Sequence, residues 1–111
     1  MLARKNRISR KEFPSFKTKG TRFFSTIFSA TVYLAPDNTQ FSVVVSKKVA
    51  KRAVDRNQLR RQFYSAVEPH LKTITKKIKV VIYPKKEALV TTFSFLQSEV
   101  VIMLKTAKLI P

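Results

Sequence analysis

Hydrophobic residues along the chain alternate between the two-residue repeat of a strand and the wider repeat of a helix. From Phe23 to Leu34, aromatic and β-branched residues alternate with smaller polar ones, which predicts a strand. Phe41 to Ser46 is a nearly continuous apolar run, and this predicts a central strand covered on both sides. The short turn at residues 35–38 predicts that these two strands pair as an antiparallel hairpin. Ile78 to Tyr83 predicts a further strand, which Pro84 stops.

Three other stretches have the spacing or the capping residues of helices. Arg10–Lys17 follows Ser9, which has the position of the N-cap in a capping box. Arg56–Glu68 follows Asp55, whose carboxylate suits the positive end of a helix. Thr92–Lys108 contains an apolar stripe at helical spacing. These patterns predict a short first helix, a middle helix and a closing helix.

The order of these elements predicts an α+β fold. A strand, a helix and a second strand follow one another in the middle of the chain, which implies a crossover and therefore a mixed sheet. Because the sequence contains no repeat, low-complexity segment or linker, its 111 residues predict a single domain over 1–111.

The charge balance indicates a polyanionic partner. The chain has 23 Lys and Arg against 6 Asp and Glu, a formal net charge of +17. Since 44% of the residues are hydrophobic, a disordered basic tail is excluded. The longest apolar run is far shorter than the ~20 residues of a membrane span, and no secretory signal is visible. We therefore expect a soluble, intracellular protein that binds nucleic acid and has no membrane partner.

Composition also restricts the chemistry that the protein itself could perform. There is no Cys and only one His, which excludes thiolate zinc sites and makes a His-based triad improbable. The six acids are scattered, whereas a magnesium-dependent nuclease needs clustered carboxylates. We therefore expect neither catalytic residues nor a metal site in this chain.

The middle helix has one apolar side and one cationic side. Its apolar stripe consists of Leu59, Phe63, Ala66 and Val67. The adjacent side presents Arg56, Asn57, Arg60, Arg61 and Tyr64. An ordinary solvated helix face mixes charges of both signs, but no acid balances these three arginines. This pattern favours nucleic-acid binding, because arginine forks suit phosphate and a tyrosine ring can stack on a base.

Two consecutive motifs carry a resemblance to a known family. Val45–Val49 reads Val-Ser-Lys-Lys-Val, and Ala53–Arg61 reads Ala-Val-Asp-Arg-Asn-Gln-Leu-Arg-Arg. In this order they resemble the bacterial ribonuclease P protein subunit. The resemblance extends over nearly the whole chain, from Asn6-Arg7-Ile8 through Ile78–Ile82 to the closing helix. Gln58 and Tyr64 depart from the family's pattern, in which arginine is usual at both positions.

The resemblance implies a fold and a function. The implied fold is a two-layer α-β sandwich of order α-β-β-β-α-β-α, with a mixed four-stranded sheet and a left-handed crossover around the Arg-Asn helix. The implied function is that of an accessory protein subunit of ribonuclease P, the endonuclease that hydrolyses one phosphodiester bond to remove the 5′ leader of precursor tRNA. Catalysis would belong to the RNA subunit, with Mg²⁺ held mainly by that RNA and one protein bound per RNA.

The resemblance also implies two sets of contact residues. Those expected to bind the catalytic RNA are Lys47, Lys48, Lys51, Arg52, Arg56, Asn57, Arg60, Arg61 and Tyr64. Those expected to form the leader-binding cleft are Phe13, Phe16, Lys17, Thr31 and Tyr33. Without the resemblance, Phe13 is better explained as a core residue of the short first helix.

Two other functions fit part of the pattern. A structural RNA-binding protein, such as a small ribosomal protein, would explain the charge, size and aromatic content but not the order of the two motifs. A protein-only nuclease would require carboxylates that the fold brings together from distant positions.

Overall fold

The computed structural model describes residues 4–9, 13–14, 19–35 and 38–111, which form one four-stranded sheet and two helices. The strands are β1 (Thr21–Phe24), β2 (Phe28–Leu34), β3 (Gln40–Val43) and β4 (Ile78–Pro84). The helices are α1 (Ala53–Val67) and α2 (Phe93–Thr106). Three short 3₁₀ helices cover Arg4–Asn6, Glu68–His70 and Lys86–Val90.

The sheet is mixed, and its strands lie in the order β1-β2-β4-β3. β2 pairs antiparallel with both β1 and β4, whereas β3 pairs parallel with β4. Parallel neighbours need a crossover, and here α1 lies within the connection from β3 to β4. The α+β class and the mixed four-stranded sheet are therefore confirmed; the left-handed sense of the crossover stays a prediction.

The predicted hairpin between the strands at Phe23–Leu34 and Phe41–Ser46 is wrong, because β4 lies between β2 and β3 in the sheet. β2 instead forms its hairpin with β1, and Ser25 N donates to Phe28 O at 2.8 Å in the turn that splits the predicted Phe23–Leu34 strand. β3 is an edge strand, so its predicted central position is also wrong. Its apolar residues are covered from other directions: α1 packs against β3, and Ile8 N donates to Phe41 O at 2.9 Å along its outer edge.

The helix boundaries follow the sequence closely at α2 and less closely at α1. Thr92 caps α2, since its Oγ1 accepts from Phe95 N at 3.1 Å. α1 begins at Ala53, so Asp55 is not its N-cap but lies in its first turn. There the carboxylate accepts from Arg52 Nε at 2.9 Å while remaining near the positive end of the helix. The predicted helix Arg10–Lys17 lies outside the described residues, except for positions 13 and 14.

The core forms between one face of the sheet and the two helices. β2 and β4 contribute alternate residues to it, among them Phe28, Ala30, Val80 and Ile82. α1 contributes the predicted stripe of Leu59, Phe63, Ala66 and Val67, all of them buried. Phe63 meets Phe28 edge to face with ring centroids 5.6 Å apart, a favourable aromatic arrangement. This packing determines which side of α1 faces outward.

The other face of the sheet carries no described helix and has Gly20 close to it. A Cβ atom on Gly20 would lie 2.6 Å from Thr31 Cγ2 and 2.7 Å from Tyr33 Cε1, closer than packed atoms approach. The absence of a side chain at position 20 therefore allows this backbone to pass directly over β2.

We expect Gly20→Ala to lower the free energy of unfolding by about 1–3 kcal/mol, because the added methyl group must displace two side chains. Urea denaturation measures this change. Lys19→Ala is the matched control, since Lys19 is exposed, and it should change stability by less than about 0.5 kcal/mol. Equal stabilities of the two variants would contradict the close packing.

Candidate nucleic-acid interface

The outward side of α1 is cationic, as the sequence predicts. Asn57 and Arg61 are exposed, and Arg60 is half-buried. Asp55, in the first turn, is the single acid of the helix. Because the buried stripe fixes the rotation of α1, these side chains form one surface rather than surrounding the helix.

The cation loop, residues 47–52, connects β3 to α1 and extends that surface. Its turn is fastened by Val49 N and Ala50 N, which both donate to Ser46 O, at 3.1 and 3.2 Å. Ala50 is buried and anchors the loop to the core. The cationic side chains of the loop are all exposed: Lys47, Lys48, Lys51 and Arg52. The loop therefore presents four positive charges beside those of α1.

Arg56 forms hydrogen bonds within the protein. Its guanidinium Nη1 donates to Ala50 O at 2.9 Å and to Lys51 O at 2.7 Å, and the side chain is half-buried. These two bonds anchor the cation loop and use one nitrogen of the guanidinium, so the predicted RNA contact at Arg56 stays a prediction. The helical wheel could not distinguish the two roles, because both leave Arg56 on the polar side of α1.

Two further cations, Arg60 and Arg52, are oriented by side chains in the first half of α1. Arg60 Nη2 donates to Asn57 Oδ1 one turn earlier, so these two predicted RNA contacts act as a unit. Arg52 pairs with Asp55, and this hydrogen bond, together with the carboxylate charge, raises the pKa of Arg52. The remaining cations among the predicted RNA contacts are exposed: Lys47, Lys48, Lys51 and Arg61.

Tyr64 extends the cationic side of α1 towards the edge of β3. Its hydroxyl accepts from Val43 N at 3.3 Å, and its half-buried ring packs against the core. The structure thus fastens Tyr64 to the sheet instead of leaving its ring fully exposed for stacking.

The face of the sheet opposite the helices is the predicted location of the leader cleft. The register aligns Arg22, Thr31, Val81 and Ser42 in one row across all four strands. Thr31 keeps only 7% of its surface exposed, since Gly20 passes over it. Thr31 therefore offers little surface to a ligand.

Aromatic side chains are more accessible on this face than Thr31. Tyr33 is half-buried, while Phe24 and Tyr83 are 73% and 36% exposed and flank Ser29 in the neighbouring row. Burial raises the pKa of Tyr83 and Tyr33 adds to this, whereas Arg22 opposes it. Tyr83 therefore keeps its proton at neutral pH. Phe24 and Tyr83 were not predicted from the sequence, although their alternation with inward-facing residues along β1 and β4 is a signal that could have identified them.

The predicted N-terminal cleft residues are only partly described. Phe13 is 38% exposed, so part of its ring is accessible, and its role as a core residue or a leader contact stays a prediction. Phe16 and Lys17 lie outside the described residues. Within the described ranges, no three side chains of His, Cys, Asp or Glu come together as a possible metal site. None of the described helices is long and apolar enough to cross a bilayer.

Comparison with known proteins identifies the family to which this fold and its cationic surface belong. A family model described as Ribonuclease P matches residues 2–108. The chain belongs to the ribonuclease P protein family. Within this family it is the accessory subunit of the ribonucleoprotein enzyme that processes tRNA 5′ ends, and its partner is the ribonuclease P RNA. The family match thus decides against a ribosomal protein and a protein-only nuclease.

Individual relatives and solved structures support the family and the fold. The ribonuclease P protein component of a Pseudanabaena species is 33% identical over 85 residues, which are 74% of this chain and 73% of the relative. That of Rippkaea orientalis is 35% identical over 88 residues, 73% and 69% of the two chains. The Staphylococcus aureus protein superposes with a TM-score of 0.76 at 23% identity, covering 99% of this chain and 95% of its own. The Thermotoga maritima protein gives 0.70 at 20%, covering 79% and 84%. These two structures show the shared fold.

The internal role of Arg56 can be tested by stability. Arg56→Met retains an apolar stem but removes the donors to Ala50 O and Lys51 O, and should lower the free energy of unfolding by about 1–3 kcal/mol. Arg61→Met is the matched control: it loses the same charge from the same helix at an exposed position, so its stability should change by less than about 0.5 kcal/mol. Thermal and urea denaturation of both variants measure the difference. A similar stability for the two variants would show that Arg56 does not anchor the loop.

Proposed function

We propose that the cation loop and the outward side of α1 dock on the catalytic RNA of ribonuclease P, while the opposite face of the sheet holds the 5′ leader of precursor tRNA. The observation that carries the proposal is the continuous cationic surface of the loop and α1, fixed in orientation by the buried stripe of α1.

The docking surface would act mainly by neutralising phosphates. Lys47, Lys48, Lys51 and Arg61 are exposed, so each can approach an RNA phosphate and release a condensed counterion. Arg60, held by Asn57, is preoriented and loses less side-chain freedom on binding. Arg56 would contribute indirectly by fixing the loop that carries the lysines.

The leader surface would use aromatic rings and a cation. Single-stranded RNA is bound by stacking of its bases on aromatic side chains and by charge along its backbone. Phe24 and Tyr83 provide accessible rings on the open face, and Arg22 is exposed in the next row. Tyr83 keeps its proton at neutral pH and can therefore also donate a hydrogen bond. Phe13, with 38% of its surface exposed, is a further candidate.

Hydrolysis itself is assigned to the RNA. Bond cleavage assisted by Mg²⁺ needs oxygen ligands around the ion, and the described residues of this chain provide no carboxylate cluster. The protein would instead bring the RNA and the leader together by reducing their mutual repulsion, which lowers the Mg²⁺ concentration that assembly requires. We further propose one protein per RNA, acting in the cytoplasm.

Reconstitution tests the proposed function. The protein alone should cleave nothing. Added to a bacterial ribonuclease P RNA and precursor tRNA, it should lower the Mg²⁺ concentration needed for 5′ cleavage. The double variant Arg60→Gln/Arg61→Gln should stimulate less, because it lacks two cations of the docking surface. Absence of any stimulation by the unaltered protein would reject the function.

The leader surface makes a separate prediction about substrate binding. Tyr83→Ala and Phe13→Ala should each weaken binding of leader-containing precursor tRNA to the holoenzyme by about 5- to 150-fold, as expected for losing ~1–3 kcal/mol of stacking. Binding of mature tRNA, which has no leader, should change little. Equilibrium binding of both substrates measures the effect.

Phe95→Ala provides the matched control, because Phe95 is a 43% exposed ring on α2, on the helix side of the sheet. An equal loss for mature and precursor tRNA would show that these rings do not contact the leader. Loss of folding in Phe13→Ala, seen by circular dichroism, would instead support a structural role for that residue.

A further inference from the structure

The N-terminal segment, residues 4–8, runs along the outer edge of β3. Arg7 forms a parallel bridge with Phe41, and Ile8 N donates to Phe41 O at 2.9 Å. Asn6 Nδ2 donates to Thr39 O at 3.1 Å. The segment thus occupies hydrogen-bonding positions that an edge strand would otherwise leave open, and its backbone is fastened to the sheet.

Amide side chains hold the carbonyl groups of this segment. Asn38 Nδ2 donates to Lys5 O at 2.8 Å, and Gln40 Nε2 lies 3.4 Å from both Lys5 O and Arg7 O. These contacts partly neutralise the negative ends of the peptide dipoles beside the cationic side chains. The segment therefore presents a surface that is suited to an anion.

An open depression of about 810 Å³ lies between this segment and α1. Its described lining consists of Arg4, Lys5, Arg7, Ile8, Ser9, Asn38, Gln40 and Tyr64. Three of these residues are cations, and none of the described lining residues carries a carboxylate. The depression is therefore positively charged, and an anion entering it meets no like charge from the described lining.

One donor in the depression is buried without an acceptor. Arg7 Nε is inaccessible to solvent and has no hydrogen-bond partner in the part of the chain that the structure describes. Burying a guanidinium N–H without an acceptor costs free energy. An oxyanion in the depression would recover this free energy once the half-buried Arg7 side chain turns its Nε towards it. The fork geometry of arginine suits a phosphate group in particular.

Tyr64 connects the depression with the surface of α1. It lies one helical turn after Arg60 and lines the depression. Because its hydroxyl oxygen accepts from Val43 N, its own proton remains available for an acceptor on the other side. A phosphate in the depression would therefore lie next to the cations of α1, on the side of the helix that carries Arg60 and Tyr64.

We propose that this depression binds a backbone phosphate of the catalytic RNA, with Arg7 and Arg4 supplying the charge and Tyr64 a hydrogen bond. It would form a second contact, continuous with the docking surface of α1 but built on the N-terminal segment. This inference rests on the proposed function, since it assigns an additional contact to the same RNA.

The salt dependence of RNA binding tests the inference. Arg7→Gln should weaken binding to ribonuclease P RNA and flatten the slope of log K against log salt by about 0.7–0.9, the value for one phosphate contact. Lys105→Gln is the matched control: it removes one charge from the exposed end of α2, which packs beside β1 at the opposite edge of the sheet. Its slope should stay unchanged.

Arg61→Gln separates the inference from the proposed function. If Arg61→Gln flattens the slope and Arg7→Gln does not, the depression is no RNA contact while α1 still docks. If the unaltered protein fails to bind the RNA, both proposals are overturned. An equal flattening by Lys105→Gln would also overturn the inference, because the effect would then reflect net charge alone.

Two additional measurements cover misfolding and the source of the phosphate. Arg4 is exposed and contributes only its backbone carbonyl to the local hydrogen bonds that the structure shows, so Arg4→Gln should flatten the slope with an unchanged circular dichroism spectrum. An unchanged slope in a folded Arg4→Gln protein counts against the proposal even where Arg7→Gln unfolds. The second measurement asks whether the depression binds a free phosphate ion. Inorganic phosphate is titrated into RNA-free protein, and binding is followed through the Arg7 Nε–H resonance. Saturable binding of inorganic phosphate, with unchanged RNA salt slopes in both variants, would assign the site to a free anion.

Discussion

The packing of α1 against the sheet is the contact on which the other features of the structure depend. Phe63 lies edge to face against Phe28, and the rest of the apolar stripe follows it into the core. Because a helix repeats every 3.6 residues, burying this stripe leaves Asn57, Arg60 and Arg61 on the outside. A net charge of +17 opposes compaction, so the chain needs this apolar contact both to fold and to hold its cations on one surface.

Local patterns predicted the helices better than the sheet. The apolar stripes of α1 and α2 depend on residues a few positions apart, and the structure confirms both. Strand pairing depends on residues distant in the chain, and an apolar run does not reveal what covers it. The run at Phe41 indicated two neighbouring strands, whereas β3 has one strand neighbour and receives the N-terminal segment on its other edge. The same ambiguity led to the wrong hairpin partner for β2.

The cationic surface was predictable as a whole but not residue by residue. A guanidinium group can donate equally well to a phosphate or to a backbone carbonyl, and only the tertiary structure shows which acceptor is near. Arg56 lies beside Ala50 O and Lys51 O, so it shapes the loop, whereas Arg61 is exposed to solvent. For the open face, strand alternation identifies which residues share a side, but the burial of Thr31 depends on Gly20, which is more than ten residues away.

The two-layer architecture itself explains how a small protein can assist a catalytic RNA. The helix layer carries the cations of α1 on one side, and the sheet exposes Phe24 and Tyr83 on the other. Since a helix packs about 10 Å from a sheet, two RNA segments held on these surfaces would be kept at a short and constant separation. The edge of β3 lies between the two surfaces, and the N-terminal segment places Arg7 there. A positive charge at this edge would reduce the repulsion between the phosphates of the two RNA segments where these segments approach each other most closely. Phosphate repulsion otherwise opposes this approach.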